Sequence, residues 1–248
     1  MDIGLEKLAS ASMLSDSSSL TAVLIPLGLD ARAFTIDGDF PNLTALRLDL
    51  TGALFHRGLR LADASGVPAF VARTVEARAA PAYFESLPFS MSLHVEDAVF
   101  SSKAALIRSG KGALTLSATI ADLEKTLLDL VRTAAEKQGA EVQSVQLNLH
   151  AESPHVLVLR ATATAKAMFL TATLTLSGRI EITEKLEARL CALSCAGDGM
   201  IANLAVGALR PKLAAIDGKT LALPTLVPSL HTLTLDTKDG LQLRALFG

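Results

Sequence analysis

Residues 156–177 read VLVLRATATAKAMFLTATLTLS. In the second half of this stretch Leu170, Ala172, Leu174 and Leu176 alternate with Thr171, Thr173, Thr175 and Ser177. Alternation at period two places aliphatic side chains on one face of an extended strand and hydroxyls on the other. Threonine suits such a wet face, because its branched side chain packs on the pleat while its hydroxyl meets water. Gly178 is expected to break the run, and Ile180 and Ile182 resume it. A run this long exceeds the usual strand of roughly five or six residues. Long strands twist and coil, so the stretch predicts a strongly curved sheet wrapping something.

The same period recurs outward along the chain. Leu46, Leu48 and Leu50 alternate with Arg47 and Asp49. Met91, Leu93 and Val95 alternate with Ser92, His94 and Glu96, and Val145, Leu147 and Leu149 with Gln146, Asn148 and His150. Each reads as a half-buried antiparallel strand. Near the end, Thr232–Asp236 and Leu241–Phe247 flank Thr237-Lys-Asp-Gly240, and Asp-Gly between two alternating runs predicts a hairpin.

Two helices interrupt the strands. Thr119-Ile-Ala-Asp122 resembles a capping box. Ile120, Leu123, Leu127, Leu130, Val131 and Ala134 follow at helical spacing, with Asp122, Lys125, Asp129, Arg132 and Glu136 on the other faces. Gly139 supplies the stop, so residues 119–138 are expected to form one long helix. A second helix is expected from about Met200 to Ile216, kinked or broken at Pro211 and ended by Asp217-Gly218. The fold class is therefore α+β: a strongly curved antiparallel sheet around a long helix, with a second, kinked helix. Residues 1–30, with the Ser-rich stretch Ser15–Ser19, read as an arm that strand and helix patterns leave open. Residues 31–248 show no linker and read as a single domain.

Composition excludes several classes. Net charge is −2 with acids and bases interspersed, so no basic run offers a footprint for nucleic acid. Cys191 and Cys195, in an extended strand, would lie roughly 13 Å apart, too far for a disulfide, and no His or further Cys stands nearby for zinc. His56, His94, His150, His155 and His231 are scattered. Gly218-Lys219-Thr220 lacks the glycine that a phosphate loop needs five residues earlier, where Leu213 stands. Gly110-Lys111-Gly112 and Gly197-Asp198-Gly199 read as turns, and Glu96-Asp97 and Glu184-Lys185 as solvated strand ends. No catalytic residue, metal ligand or cofactor is expected, and an enzyme built from dispersed residues is the third-ranked reading. His231 shares the phase of Leu233 and Leu235, so it is expected as a hydrogen-bonded core histidine or as the one polar group that fixes a bound headgroup.

The start of the chain has no basic stretch of the kind that opens a signal peptide, and the apolar Leu20–Leu29 contains Pro26 and falls short of the ~20 residues that span a bilayer. The expected compartment is the cytoplasm for a full-length chain and the periplasm for one whose leader has been removed.

Taken from Ile36 onward, the order of elements resembles the tubular lipid-binding (TULIP) superfamily, and within it the bacterial single-domain LmeA-like proteins. Four features carry the resemblance: Asp39-Phe40-Pro41 before an alternating strand; the helix Thr119–Gln138 after short strands; the long Thr/Ala/Leu strands from Val156 to Leu190; and the closing Leu223-Pro224-Thr-Leu-Val-Pro228, then a strand reaching Asp239-Gly240-Leu241. The resemblance implies a sheet wrapped around a long helix with lipid in the space between. Half of the residues are apolar and few are aromatic, a composition that suits acyl chains better than ring-shaped cofactors. The expected function is non-enzymatic binding or transport of lipids or other apolar small molecules. Its rival is a structural or assembly protein with a fully packed core. The expected ligand contacts are Leu123, Leu127 and Val131 on the helix, Leu170, Ala172, Leu174 and Leu176 on the strand, and His231. The expected partners are a lipid or fatty-acid-like molecule, a membrane met transiently and a second copy of the chain.

Overall fold

The computed structural model describes residues 25–55, 68–101, 106–136, 141–167, 170–183, 187–222 and 230–248. They form two open sheets and two helices, an α+β architecture. By internal packing the chain divides into two units, one holding residues 1–117, 224–233 and 244–248, the other 118–223 and 234–243. The chain passes between the units at several points, so no single linker with its own composition marks a boundary.

The first unit is built on strands β1 (Phe34–Asp39), β2 (Asn42–Asp49), β3 (Leu54–Phe55), β4 (Pro68–Phe84), β5 (Leu87–Ser101), β6 (Leu106–Arg108) and β7 (Gly112–Ala118). The order across the sheet is β1-β2-β4-β5-β7, with β3 beside β4 and β6 beside β5. The expected alternation is present: Leu46 and Val95 are each only 2 % exposed and Leu50 is buried, while Arg47, Ser92, His94 and Glu96 face solvent. The sheet is antiparallel in most of its pairs, as expected, with two exceptions. β2 and β4 run parallel, with Leu46 opposite Val75 and Leu48 opposite Ala77, and β3 also runs parallel to β4. Period two reports which face a residue takes, not the direction of its neighbour. Glu96-Asp97 lies within β5 rather than at a strand end, and Asp97 has φ of 48°. Glu184-Lys185 falls outside the described residues.

Alanines dominate one cluster of this core. Ala33, Leu50, Ala53, Ala77, Ala79 and Ala82 are buried, and Leu27, Leu29, Phe34, Leu48, Phe55 and Phe89 pack against them. Part of the expected arm is therefore core: Leu27 ends a short 3-10 turn, Ile25–Leu27, and Asp30 caps a second, Ala31–Ala33, by accepting the Arg32 N–H at 2.8 Å. Residues 1–24 lie outside the description. A second cluster stacks Phe70 on Phe100, with ring centroids 4.7 Å apart, and sets Phe40 edge-on to Phe70.

The second unit carries α1 (Ile120–Glu136), β8 (Glu141–Ser153), β9 (Val156–Ala167), β10 (Leu170–Ile182), β11 (Glu187–Asp198), α2 (Met200–Ile216) and β12 (Thr220–Ala222). Its sheet is antiparallel throughout, in the order β12-β11-β10-β9-β8. The long alternating stretch thus folds back on itself as the hairpin β9–β10. Gly178 does not break β10. Its missing side chain makes room, because a Cβ there would sit 2.6 Å from Leu193 Cδ2. A bulge in β11, with Ala192 at φ of 52° and the register shifting opposite Ser177–Arg179, accompanies that placement of Leu193.

Thr119 caps the helix as expected, with Asp122 bound to its hydroxyl rather than to its backbone N–H. Thr119 Oγ1 accepts the Asp122 N–H at 3.1 Å and donates to Asp122 Oδ2 at 2.6 Å. α1 begins at Ile120 and is described to Glu136; Gly139 lies outside the described residues. Leu130, placed by the spacing on the apolar stripe, is 56 % exposed, so the covered stripe is narrower than the pattern suggests. α2 continues through Pro211 rather than breaking, and ends at Asp217 and Gly218, whose φ is 75°. The closing hairpin is also present: β13 (Leu230–Asp236) and β14 (Leu241–Phe247) are neighbours. Gly240 at their turn has φ of 134°, and a Cβ there would lie 2.5 Å from the Ala118 carbonyl oxygen, so both conformation and space require glycine.

Candidate functional site

Strand register assembles an unbroken aliphatic face in the second unit. Across β8, β9 and β10, Val145 stands opposite Ala163 and Ala163 opposite Leu174; Leu147, Ala161 and Leu176 form the next row. No polar side chain interrupts this face from the row Val142–Ala165–Ala172 to the row Ala151–Leu157–Ile180. Its centre is a shallow furrow. On β9, Ala161 stands between the larger Leu147 and Leu176 and Ala163 between Val145 and Leu174, while Leu149 stands opposite Leu159. Ala161, Ala163, Leu147, Leu174 and Leu176 are half-buried and keep partial contact with solvent, whereas Val145 is buried. The opposite face carries Thr162, Thr164, Thr173 and Thr175, with Thr162 and Thr175 hydroxyls 3.5 Å apart.

The expected contact residues divide among three places. Ala172, Leu174 and Leu176 lie on the aliphatic face, Ala172 buried and the two leucines half-buried. Leu170 opens β10 opposite Ala167. Leu123, Leu127 and Val131 are half-buried on α1, but α1 packs on β8, with β9 standing between β8 and β10. The helix wall and the β10 wall are therefore not adjacent. His231 belongs to the first unit and is exposed, and its Nε2 hydrogen-bonds the Gly248 carbonyl. The expectation of a core histidine is corrected: β13 is the last strand of its sheet, and its inward phase is covered at Leu233 but not at His231.

Two residues outside the expected set fasten α1. β8 ends its sheet and so leaves backbone groups without a strand partner. The Leu147 N–H donates to Glu124 Oε1 at 2.7 Å, and Arg132 Nε donates to the Val142 carbonyl at 3.1 Å. Farther along, the Ala151 N–H donates to Thr237 Oγ1 at 3.3 Å. The helix runs antiparallel to the strand, and roughly 12 Å of helix rise matches roughly 16 Å of strand rise, a gap that long side chains can bridge. Arg132 is thus not the idle outer-face residue that helical spacing suggests. Sequence could mark the alanine phase of RATATAKA, but not which strands flank it.

The first unit presents a polar face. Thr35, Arg47, Glu76 and His94 stand in one register row across β1, β2, β4 and β5. Arg47 reaches Asp37 at 2.6 Å and Glu76 at 3.4 Å, His94 lies 3.8 Å from both Glu76 and Glu96, and Arg78 lies 3.2 Å from Asp49. Asp37 and then Glu76 raise the Arg47 pKa above its ordinary value. Hydrogen bonds from the Thr51 hydroxyl and N–H, then Arg78, hold Asp49 below the usual carboxylate value. An open cleft of about 590 Å³ runs over this ladder, lined among others by Arg32, Arg47, Arg78 and His94. Arg47, Arg78 and His94 are engaged with the carboxylates beside them, and among the described residues none of His, Cys, Asp and Glu forms a cluster suited to a metal ion.

The cysteines are separated by more than distance. Cys195 stands opposite Leu176 on the aliphatic phase, whereas the bulge turns Cys191 to stand opposite Arg179. Both thiols are free, and desolvation, followed by the nearby Glu181, raises that of Cys191. No family model, curated protein or solved structure matches this chain.

Proposed function

We propose that this chain is a non-enzymatic binder or carrier of lipids or other apolar small molecules, held on the aliphatic face of the second unit. The observation that supports the reading is the half-buried row of alanines on β9 between larger aliphatic side chains. A chain of methylenes laid there would cover side chains that the unit itself leaves partly in water. Each buried methylene contributes about 0.8 kcal/mol, so a sixteen-carbon chain could supply roughly 10 kcal/mol before binding costs. In the tubular lipid-binding arrangement that the sequence resembles, a sheet curling around α1 would close such a furrow into a lipid-holding tunnel.

The test is a fluorescent fatty-acid titration on the wild type and on Ala161→Trp, with a melting curve for each. Ala161 is half-buried at the furrow's centre, so the indole would fill ligand space. Ala172 is 8 % exposed, and Trp there would overpack the fold at a cost of about 1–3 kcal/mol. Loss of probe binding in Ala161→Trp at near-normal melting sustains the reading. A wild type that neither binds the probe nor yields lipid on organic extraction sinks it, and a concentration-dependent dimer in that protein would favour assembly through the same face.

A further inference from the structure

We infer that the outward face of α2 docks on an anionic lipid bilayer. The inward side of the helix is fixed by contact. Ala202 and Val206 are buried, Leu209 and Leu213 are half-buried, and a Cβ on Gly197 would stand 2.8 Å from Ala202, so helix and β11 approach closely. Gly207, Ala208, Arg210, Pro211, Lys212, Ala214, Ala215 and Ile216 are left exposed, Ile216 by 39 %. An ordinary solvent-facing helix surface is laced with charges of both signs. This one is mostly small and apolar, and α2 contains no Asp or Glu at all.

Within the helix itself the charges have one sign. Among the described residues Arg210, Lys212 and Lys219 have no ion-pair partner. Lys219 follows the helix, its carbonyl accepting the Leu190 N–H at 3.1 Å, and the Arg189 guanidinium comes within 3.9 Å of where a Gly218 side chain would begin. Two nearby acids offset part of this charge, with Asp217 exposed at the helix's C-cap, its Oδ1 accepting the Leu193 N–H at 3.0 Å, and Glu181 opposite Arg189, so the excess positive charge rests on Arg210 and Lys212. On a chain of net charge −2 this is a local cationic patch on an apolar ground. Helices that rest on membranes combine exposed apolar surface with lysine and arginine that meet anionic headgroups. A protein partner is a poorer fit, because the face offers no aromatic anchor of the kind that dominates protein interfaces. No described helix is long and apolar enough to cross a membrane, so α2 would lie on the bilayer.

Co-sedimentation of the full chain with vesicles tests this, using phosphatidylcholine alone and phosphatidylcholine mixed with phosphatidylglycerol, each at low and high salt. Binding is expected only to the anionic vesicles and is expected to weaken with salt. Double reversal by Arg210→Glu and Lys212→Glu should weaken it by at least about tenfold. Lys125→Glu, on α1, should leave it within about twofold. Ala161→Trp should also leave it intact, which separates this surface from the furrow. Equal binding to neutral vesicles, or an unaffected double variant with a normal melting curve, overturns the inference. So does failure to bind anionic vesicles, which would leave an acidic protein to cover the face.

Discussion

The two sheets carry the same alternating pattern and bury it to different depths. In the first unit the row Leu46–Val75–Val95 is nearly dry, with Leu46 and Val95 2 % exposed and Val75 4 %, while Leu48, Met91 and Leu93 on the same phase are half-buried. In the second, Leu147, Leu149, Leu174 and Leu176 stand on an equally apolar phase but are only half-buried. The difference lies in what covers each face. The first phase meets the alanine and phenylalanine clusters of its own unit. In the second, α1 packs on β8 and α2 on β11 and β10, and the alanines of β9 between them stay half-buried. Alternation therefore states which side chains leave water together. It does not state what they meet.

The largest expected effect would break this comparison outright. Val95→Asp places an unpaired charge in a dry core and should destabilise the protein by several kcal/mol, on the order of 4 or more. Leu174→Asp, on the open face, should cost about 1–2 kcal/mol. Urea denaturation of both variants checks the order. Equal losses would mean that the second face is covered as thoroughly as the first.

Gly178→Val sharpens the same point at the bulge. The new side chain meets Leu193 Cδ2, the movable end of a flexible residue. The expected cost is about 1–3 kcal/mol, reduced in the double variant that adds Leu193→Ala. If Leu193→Ala relieves nothing, Leu193 does not fill the space over Gly178.

How much of this was legible in the sequence follows from the range of each interaction. The strand phases, the Thr119–Asp122 cap and the Asp239-Gly240 turn depend on neighbours a few residues away, and all three were readable. The parallel pairing of β2 with β4 depends on a crossover, and nothing in LTALRLD or TVEAR encodes the neighbour's direction. Register likewise decides which elements the expected contact residues stand beside. Leu174 and Leu176 were assigned the right phase, but their nearest aliphatic neighbours are Ala161 and Ala163 of β9, not Leu123 and Leu127 of α1. Register decides that, and register is a long-range property. His231 shows the limit of phase itself, because on the last strand of a sheet an inward-pointing residue can still be wet.

A smaller effect tests how α1 is held. Glu124→Ala and Arg132→Ala each leave one backbone group of β8 without its side-chain partner, and each should cost about 1 kcal/mol. A truly outward Arg132 would cost under about 0.5 kcal/mol. Faster amide exchange confined to α1 and β8 in both variants would confirm that the two contacts act along one edge. Exchange unchanged in both would mean that the helix is held by its leucines alone.

The smallest effect belongs to the charged face of the first unit, where Asp49→Asn should cost under about 1 kcal/mol near neutral pH, because the Asp49 side chain is 43 % exposed and Arg78 is 79 % exposed. Its pH dependence is more telling than its size. The Thr51 hydroxyl and N–H, then Arg78, hold the Asp49 carboxyl below its ordinary value in the folded chain. A depressed folded pKa contributes stability that is fully present above the unfolded value, near ~4, and is lost as pH falls through the folded value. The wild type and Asp49→Asn should therefore differ most at neutral pH and converge in acid, once Asp49 is protonated and resembles the amide. Melting curves across that range measure the gap. A gap that widened in acid would mean that the Thr51 and Arg78 contacts do not favour the ionised carboxylate.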